Sequence, residues 1–153
     1  MQTHLQRALI TSLLLCSLTL AAQEKGNWRA ASNNARAITG DVALSDEKLF
    51  INFTGFTMSR IRSLEKPEIS ALFDADSAAV DGTAGLYRLD VPASKKFLHK
   101  NTLCGSDDTQ WMVTYASGRF LQLAFFSSQK PPLMTLDALS NSTDLCGKYS
   151  YVK

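Results

Sequence analysis

The cysteines are the first residues whose type and spacing have chemical consequences. The chain of 153 residues contains three, Cys16, Cys104 and Cys146. The last two lie in similar Leu-Cys-Gly segments, "TLCGSDD" and "LCGKYSY". They are far from the Cys-x-x-Cys spacing of a redox pair, and two thiols in an oxidising compartment normally form a structural disulfide. If the chain is exported, we therefore predict a Cys104–Cys146 disulfide, and a loop of this length would stabilise the fold by about 4 kcal/mol.

Histidine and carboxylate chemistry gives little support for an enzyme. His99, in "KKFLHKN", is the one histidine beyond the first 22 residues. A Ser-His-Asp system needs only one histidine, but the chain has no Gly-x-Ser-x-Gly motif, so a surface position is expected for His99. The adjacent pair Asp107-Asp108 is expected to close a polar turn, and a position in a mouth of the barrel is the alternative. A small hydrolase that uses carboxylates or His99 is left as an alternative.

Metal and cofactor motifs are not found. Zinc needs three or four Cys, His or carboxylate ligands, and the disulfide would use both remaining cysteines. The segment "DADSAAVDG" does not match a calcium loop, because Ala78 and Ala79 stand where oxygen ligands and the turn glycine belong. No phosphate-binding glycine loop is present. We predict no cofactor and no metal.

The first 22 residues predict export. Arg7 is followed by an apolar run that ends in small residues, and "QEKG" then restores polarity, as in a secretory signal peptide. Cleavage is expected after Ala21 or Ala22, and an uncleaved anchor is the alternative. No later run predicts a transmembrane segment. The near balance of 16 basic and 14 acidic side chains argues against nucleic-acid binding. We expect a secreted or periplasmic protein.

Elements with a period of two dominate the rest of the chain, which is typical of half-buried strands. Residues 37–54 predict a hairpin in which Leu49, Ile51 and Phe53 share a face. In "QWMVTYASGRFLQLAFF" two strands flank a turn at Ser117-Gly118. We predict an all-β fold, a small antiparallel barrel or sandwich of about seven or eight strands. Residues 37–153 form the single domain, and residues 23–36 are expected to be a flexible arm.

Helical signals are short. Pro67 in a first turn predicts a helix from Pro67 to Phe73, although a strand through Ile69 and Phe73 is an alternative. "SKKFLHKN" and "LMTLDALSN" each predict one helical turn.

Two segments are candidates for binding. One is basic, and its charges would attract an acidic partner; it contains Lys95, Lys96, His99 and Lys100. The other is a tight hairpin turn, and loops on a rigid scaffold often bind partners; it contains Ser117, Gly118 and Arg119. Arg60 and Arg62 add a second basic pair on one strand. A solvated loop and an exposed strand face are the alternatives.

The segments "AITGD", "LYRLDVP", "NTLCG", "LAFFS" and "LCGKYSY" resemble an uncharacterised family of small exported bacterial proteins, from Ala37 to Tyr151. The shared motifs are structural and imply no catalytic residue. The segment "YASGRF" is also similar to the periplasmic inhibitors of C-type lysozyme, small disulfide-linked barrels that present a Ser-Gly loop. That resemblance implies inhibitory contacts by Ser117, Gly118 and a nearby lysine.

We therefore expect a non-enzymatic binding or inhibitor module at the cell envelope, acting through loops at one barrel end on an unknown protein or envelope ligand. The alternatives are a periplasmic lysozyme inhibitor, a carboxylate-dependent hydrolase and a structural envelope component.

Overall fold

A closed barrel of eight antiparallel strands is the architecture of the chain. The computed structural model describes residues 24–153, so the predicted signal peptide and its cleavage site lie outside the described residues. Each strand pairs with the next in sequence, and β8 returns to pair with β1. The all-β prediction is confirmed, and the fold is a barrel rather than a sandwich. The strands are β1 Gly26–Ala30, β2 Val42–Leu44, β3 Lys48–Ile51, β4 Thr54–Ser63, β5 Thr83–Val91, β6 Thr109–Ser117, β7 Phe120–Phe126 and β8 Leu145–Val152.

Four short helical segments connect these strands: the α-helices α1 Lys66–Phe73 and α2 Leu136–Ser140, a π-helical turn Ala35–Thr39 and a 3₁₀ turn Leu98–Lys100. The predicted helix at Pro67 is therefore confirmed. Its start is a capping box, in which the Glu65 side chain accepts from the Glu68 N–H and the Glu68 side chain accepts from the Glu65 N–H. Arg62 donates to both Glu68 carboxylate oxygens, at 2.8 and 2.7 Å, and lowers the pKa of Glu68.

Apolar side chains form two cores, one on each side of the barrel wall. The interior core contains Trp28, Leu49, Ile51, Met112, Leu121, Leu123, Phe125, Tyr149 and Tyr151. A second core lies outside β5–β8, where α1, α2 and the segment after α1 cover the strands; it contains Ile69, Leu72, Phe73, Val80, Trp111, Val113, Tyr115, Phe126 and Met134. Because both faces of β6 and β7 are buried, these strands are the most completely packed part of the wall.

The segment after the predicted signal peptide differs from the flexible arm that we expected over residues 23–36. Residues 26–30 form β1, which pairs with β2 on one side and β8 on the other and so closes the barrel. The physical reason is Trp28, whose side chain is buried in the interior core and whose indole N–H donates to the Glu24 carbonyl at 2.9 Å.

The predicted disulfide is present, and it joins the β5–β6 loop to the start of β8. Cys104 and Cys146 are 42 residues apart in sequence, and their Cα atoms are 4.9 Å apart. We call this end of the barrel the disulfide end. It also contains the π-helical turn, the β3–β4 turn at Asn52-Phe53 and the 3₁₀ turn.

The opposite end is called the mouth end. It contains the start of β1, the β2–β3 turn at residues 45–47, the β6–β7 turn and the end of β8. Within residues 24–153, no helix has the length and apolar character needed to cross a membrane.

Candidate functional site

The two predicted binding segments lie at opposite ends of the barrel. Ser117, Gly118 and Arg119 form the β6–β7 turn at the mouth end. The residues from Lys95 to Lys100 belong to the β5–β6 loop at the disulfide end. Loops at a single barrel end therefore cannot contain both segments, and we consider the two ends separately.

The β6–β7 turn is a two-residue loop with its polar groups already engaged. Ser117 pairs with Phe120, so Gly118 and Arg119 are the loop, and Gly118 has the positive φ of 55° that a type II′ turn requires at its first position. The Ser117 hydroxyl donates to Asp81. Arg119 donates to the Lys153 carbonyl at 2.7 Å. The inhibitory role that the resemblance implies for Ser117 stays a prediction.

The basic segment is held against two neighbouring parts of the disulfide end. Lys95 Nζ donates to Thr54 Oγ1 at 3.1 Å, which joins it to the β3–β4 hairpin. The Asn101 side-chain amide donates to the Ala37 carbonyl at 3.1 Å, which joins it to the π-helical turn. Between them Phe97 packs in the interior core, edge-on to Phe56 at 6.0 Å. The loop is thus fixed relative to the barrel wall.

Backbone strain is concentrated in the β3–β4 turn and the 3₁₀ turn of the disulfide end. Five non-glycine residues of the described chain have positive φ, and four of them are here: Asn52 (49°), Phe53 (64°), His99 (53°) and Lys100 (63°). The fifth, Asp74, ends α1. Left-handed backbone costs about 1–2 kcal/mol for a residue with a side chain, and such residues are enriched at functional sites.

Phe53 is exposed at the tip of the β3–β4 hairpin. The sequence predicted Phe53 on the same strand face as Leu49 and Ile51, and this was wrong. Ile51 pairs with Thr54, so Asn52 and Phe53 form a two-residue turn, and the Phe53 side chain is 102% exposed while Leu49 and Ile51 are fully buried. Phe50 on the outer face of β3 is 37% exposed. The two aromatic side chains line a groove of about 950 Å³ together with Ala43, Leu98 and Val152.

The charges around these aromatic side chains are mostly positive. Segments 29–41, 50–54 and 95–100 contain five Lys or Arg residues and one acidic residue, Asp41. Within residues 24–153, none of the five forms an ion pair. Asp107 and Asp108 line a different depression with Asp144 and Lys130. We call the surface around the two exposed aromatic side chains the basic aromatic face and define it by Arg36, Phe50, Phe53, Lys95, Lys96, Leu98 and Lys100.

The mouth end contains a separate cluster of polar side chains. Tyr87 donates its hydroxyl to Glu24 at 2.8 Å, and Arg60 Nη1 donates to the same Tyr87 oxygen at 2.6 Å. Burial and the nearby Glu24 carboxylate raise the pKa of Tyr87 to about 12, so the hydroxyl stays a donor at neutral pH. The register shifts between Arg60 and Arg62. Arg60 therefore lines the mouth while Arg62 pairs with α1, although the sequence placed both on one strand face.

Two main residues, Phe53 at the disulfide end and Glu24 at the mouth end, were not predicted as site residues. The lysines, His99 and Arg60 are recognisable from their clustering, whereas Phe53 was assigned to a strand core and Glu24 to a flexible arm. The dipeptide Asn52-Phe53 between two strand patterns was the available signal, since Asn favours left-handed turns. No local signal joins Glu24 to Tyr87, because their contact is made only when the barrel closes.

Within the described part of the chain, no three His, Cys, Asp or Glu side chains are grouped as metal ligands. Comparison of the chain with family models, with curated proteins and with solved structures gives no match.

Proposed function

We propose that this is a non-enzymatic binding module of the cell envelope that attaches to an anionic lipid surface through its basic aromatic face. The observation that supports this most strongly is Phe53, a fully exposed aromatic side chain in left-handed backbone at a hairpin tip. Exposure and conformation are both unfavourable for an isolated domain. Both are accounted for if the side chain is inserted among lipid headgroups and acyl chains.

The surrounding charges favour a lipid surface with negative headgroups. Each lysine or arginine near such a surface contributes about 1 kcal/mol of attraction. Burial of a phenylalanine side chain contributes about 1.5–3 kcal/mol. Lys95 donates to Thr54 beside the aromatic tip, Lys96 and Lys100 belong to the same loop, and Arg36 lies on the adjoining π-helical turn. A charge-driven approach followed by insertion of one aromatic side chain gives reversible attachment.

The barrel supports this role by keeping the face rigid. The hairpin tip is a two-residue turn, and the basic loop is fastened to it by the Lys95–Thr54 hydrogen bond and to β8 by the disulfide. Little conformational entropy is therefore lost when the face attaches, which increases the affinity for a given contact.

The test is sedimentation of the exported, oxidised protein with vesicles of phosphatidylcholine alone and with added phosphatidylglycerol. We expect binding to the anionic vesicles, weaker binding in high salt and little binding to the neutral ones. Phe53→Ser should weaken binding about tenfold, from the loss of one buried aromatic side chain. The double variant Lys96→Glu, Lys100→Glu should weaken it at least as much.

Phe120 supplies a matched control. It is 64% exposed and lies at the mouth end, away from the proposed face. Phe120→Ser should leave vesicle binding unchanged. The proposal fails if the unaltered protein does not sediment with anionic vesicles, or if Phe120→Ser weakens binding as much as Phe53→Ser.

A further inference from the structure

The mouth end contains a cavity that the proposed attachment to lipid does not use. It has a volume of about 440 Å³. One wall is apolar and consists of Leu44, Met58, Leu64 and Ala84, while Glu24, Arg60, Thr83 and Tyr87 provide the polar wall. A pocket with an apolar lining and a few convergent polar groups is the usual form of a small-molecule site.

The polar wall is arranged to receive an anion, and a carboxylate of the chain itself occupies it. Glu24 accepts from the Tyr87 hydroxyl at 2.8 Å and from the Thr83 hydroxyl at 3.4 Å. Its other neighbour is Arg60, whose Nη1 lies 3.7 Å from Oε2. Two hydroxyl donors from β5 and one guanidinium from β4 therefore surround one carboxylate.

Arg60 is held in place independently of Glu24. Its guanidinium lies 5.4 Å from the centre of the Tyr87 ring, and it donates to the Tyr87 hydroxyl at 2.6 Å and to Ser63 Oγ at 3.1 Å. Gly85 makes this position possible, since a Cβ there would lie 2.6 Å from Arg60 Nη1. The cation would thus stay in the mouth if Glu24 were to leave.

Glu24 is the replaceable member of the cluster. It precedes β1 and so stands outside the strand ladder, and its side chain is in ion-pair contact with Arg60 but beyond hydrogen-bond distance. Deeper in the wall, Thr114 pairs with Gly85 across β5 and β6, and its fully buried hydroxyl has no hydrogen-bond partner among the described residues. Gly85, which lies against Arg60, therefore has a strand neighbour whose buried hydroxyl is unused.

We propose that the mouth binds a small organic carboxylate with a short apolar chain, whose carboxylate replaces that of Glu24 beside Arg60, Tyr87 and Thr83. The apolar chain lies against Leu44, Met58 and Leu64. The remaining charged pair of the rim, Lys25 and Asp46 at 2.5 Å, is mutually neutralised. With Glu24 displaced, Arg60 is the unbalanced charge of the cavity, and this favours an anion over a neutral or cationic ligand.

The experiment is titration of the oxidised protein with octanoate, followed by the two tryptophan indole N–H signals in NMR spectra. The Trp28 indole donates to the Glu24 carbonyl, so displacement of Glu24 should shift its signal. The Trp111 indole donates to Ser128 at 2.8 Å near the disulfide end and should not move, which provides an internal reference. Octanol should bind about tenfold more weakly than octanoate, because it lacks the charge that pairs with Arg60.

Three variants separate ligand binding from damage to the fold. Arg60→Gln should weaken octanoate binding about tenfold or more. Glu24→Gln should strengthen it severalfold, since the competing charge is gone, and a gain in affinity does not arise from partial unfolding. Arg62→Gln is the matched control, because this arginine pairs with Glu68 outside the cavity and its loss should leave the affinity unchanged.

The proposal is overturned if octanoate does not shift the Trp28 signal, if octanol binds equally well, or if Glu24→Gln leaves the affinity unchanged. Its outcome is independent of vesicle attachment. Phe53→Ser should leave octanoate binding intact, and Arg60→Gln should leave vesicle sedimentation intact.

Discussion

Phe53 shows how one residue can be unfavourable for stability and useful for binding. Its φ of 64° belongs to the conformation that an Asn-Gly type I′ turn provides without a Cβ. Phe53→Gly should therefore raise the free energy of unfolding by about 1–2 kcal/mol, as measured by urea denaturation, while it lowers affinity for anionic vesicles. Phe120→Gly should have the opposite effect on stability, because Phe120 lies in a strand, where glycine costs about 0.5–1 kcal/mol. If Phe53→Gly destabilises the protein, Phe53 is not strained.

The residues of the basic aromatic face were only half predictable. Lysines at 95, 96 and 100 are visible as a cluster in the printed sequence, whereas the exposure of Phe53 depends on where the β3–β4 ladder stops. Strand alternation assigns Phe53 to the face of Leu49 and Ile51, and only the pairing of Ile51 with Thr54 shows that the strand has already ended. Glu24 was not predictable, because its partner Tyr87 is 63 positions away.

At the level of elements, alternation predicted the strands after β1, but it did not predict the side on which each face is buried. Trp111, Val113 and Tyr115 in β6 face the outer core under α1 and α2, whereas Leu121, Leu123 and Phe125 in β7 face the barrel interior. The two sets of side chains give the same alternating sequence pattern, since both faces of these strands are buried. An alternating pattern therefore identifies a strand, but it does not show which of its faces points into the barrel. That depends on where the helices pack against the barrel wall.

The disulfide holds one loop in place in addition to stabilising the whole fold. It ties the β5–β6 loop, which contains the basic segment, to β8. We expect the double variant Cys104→Ser, Cys146→Ser to lose about 4 kcal/mol of unfolding free energy, from the entropy of the freed unfolded chain. Vesicle binding should fall severalfold, because the loop must be ordered on attachment. Urea denaturation and sedimentation measure the two effects.

Octanoate binding separates a local effect of the disulfide from a general one. The mouth lies at the other end of the barrel. The affinity of the cysteine variant for octanoate should therefore equal that of the unaltered protein under conditions in which the variant is fully folded. Equal losses at both ends would show that the disulfide does not act on the basic loop locally.

At the scale of the whole molecule, the closed barrel separates two surfaces of different chemistry and fills the space between them. The basic aromatic face at the disulfide end presents cations and an exposed aromatic side chain, while the mouth end places the buried Glu24 carboxylate beside the partly exposed Arg60 guanidinium. The interior between them is packed with Leu, Phe, Met and Tyr side chains. The filled interior leaves no route for a ligand through the barrel, so the two ends should bind independently.

Alkaline titration of the interior tyrosines can test whether the barrel is closed in solution. Burial raises the pKa of Tyr149 to about 12, and burial raises that of Tyr151 further, although its hydrogen bond with Thr39 at 2.7 Å partly opposes this. In the unfolded chain both tyrosines ionise near pH 10. Below that value they are protonated in both states, so their contribution to stability is fully present. Between about pH 10 and 12 only the unfolded chain releases these protons, and the free energy of unfolding falls by about 1.4 kcal/mol per pH unit for each residue.

We therefore expect tyrosinate absorbance from these residues to appear together with the loss of tertiary structure, in one cooperative step above pH 10. Parallel alkaline titrations followed by tyrosinate absorbance and by near-ultraviolet circular dichroism test this. Tyr151→Phe removes one ionising group and keeps the ring in the interior, although it leaves the Thr39 hydroxyl without this partner. From pH 8 upward, the free energy of unfolding of this variant should fall less steeply than that of the unaltered protein. Once the difference between their stabilities at pH 8 is taken into account, the variant should therefore unfold at a higher pH. If all tyrosines ionise near pH 10 while the dichroism stays native, water reaches the interior and the barrel is not closed in solution.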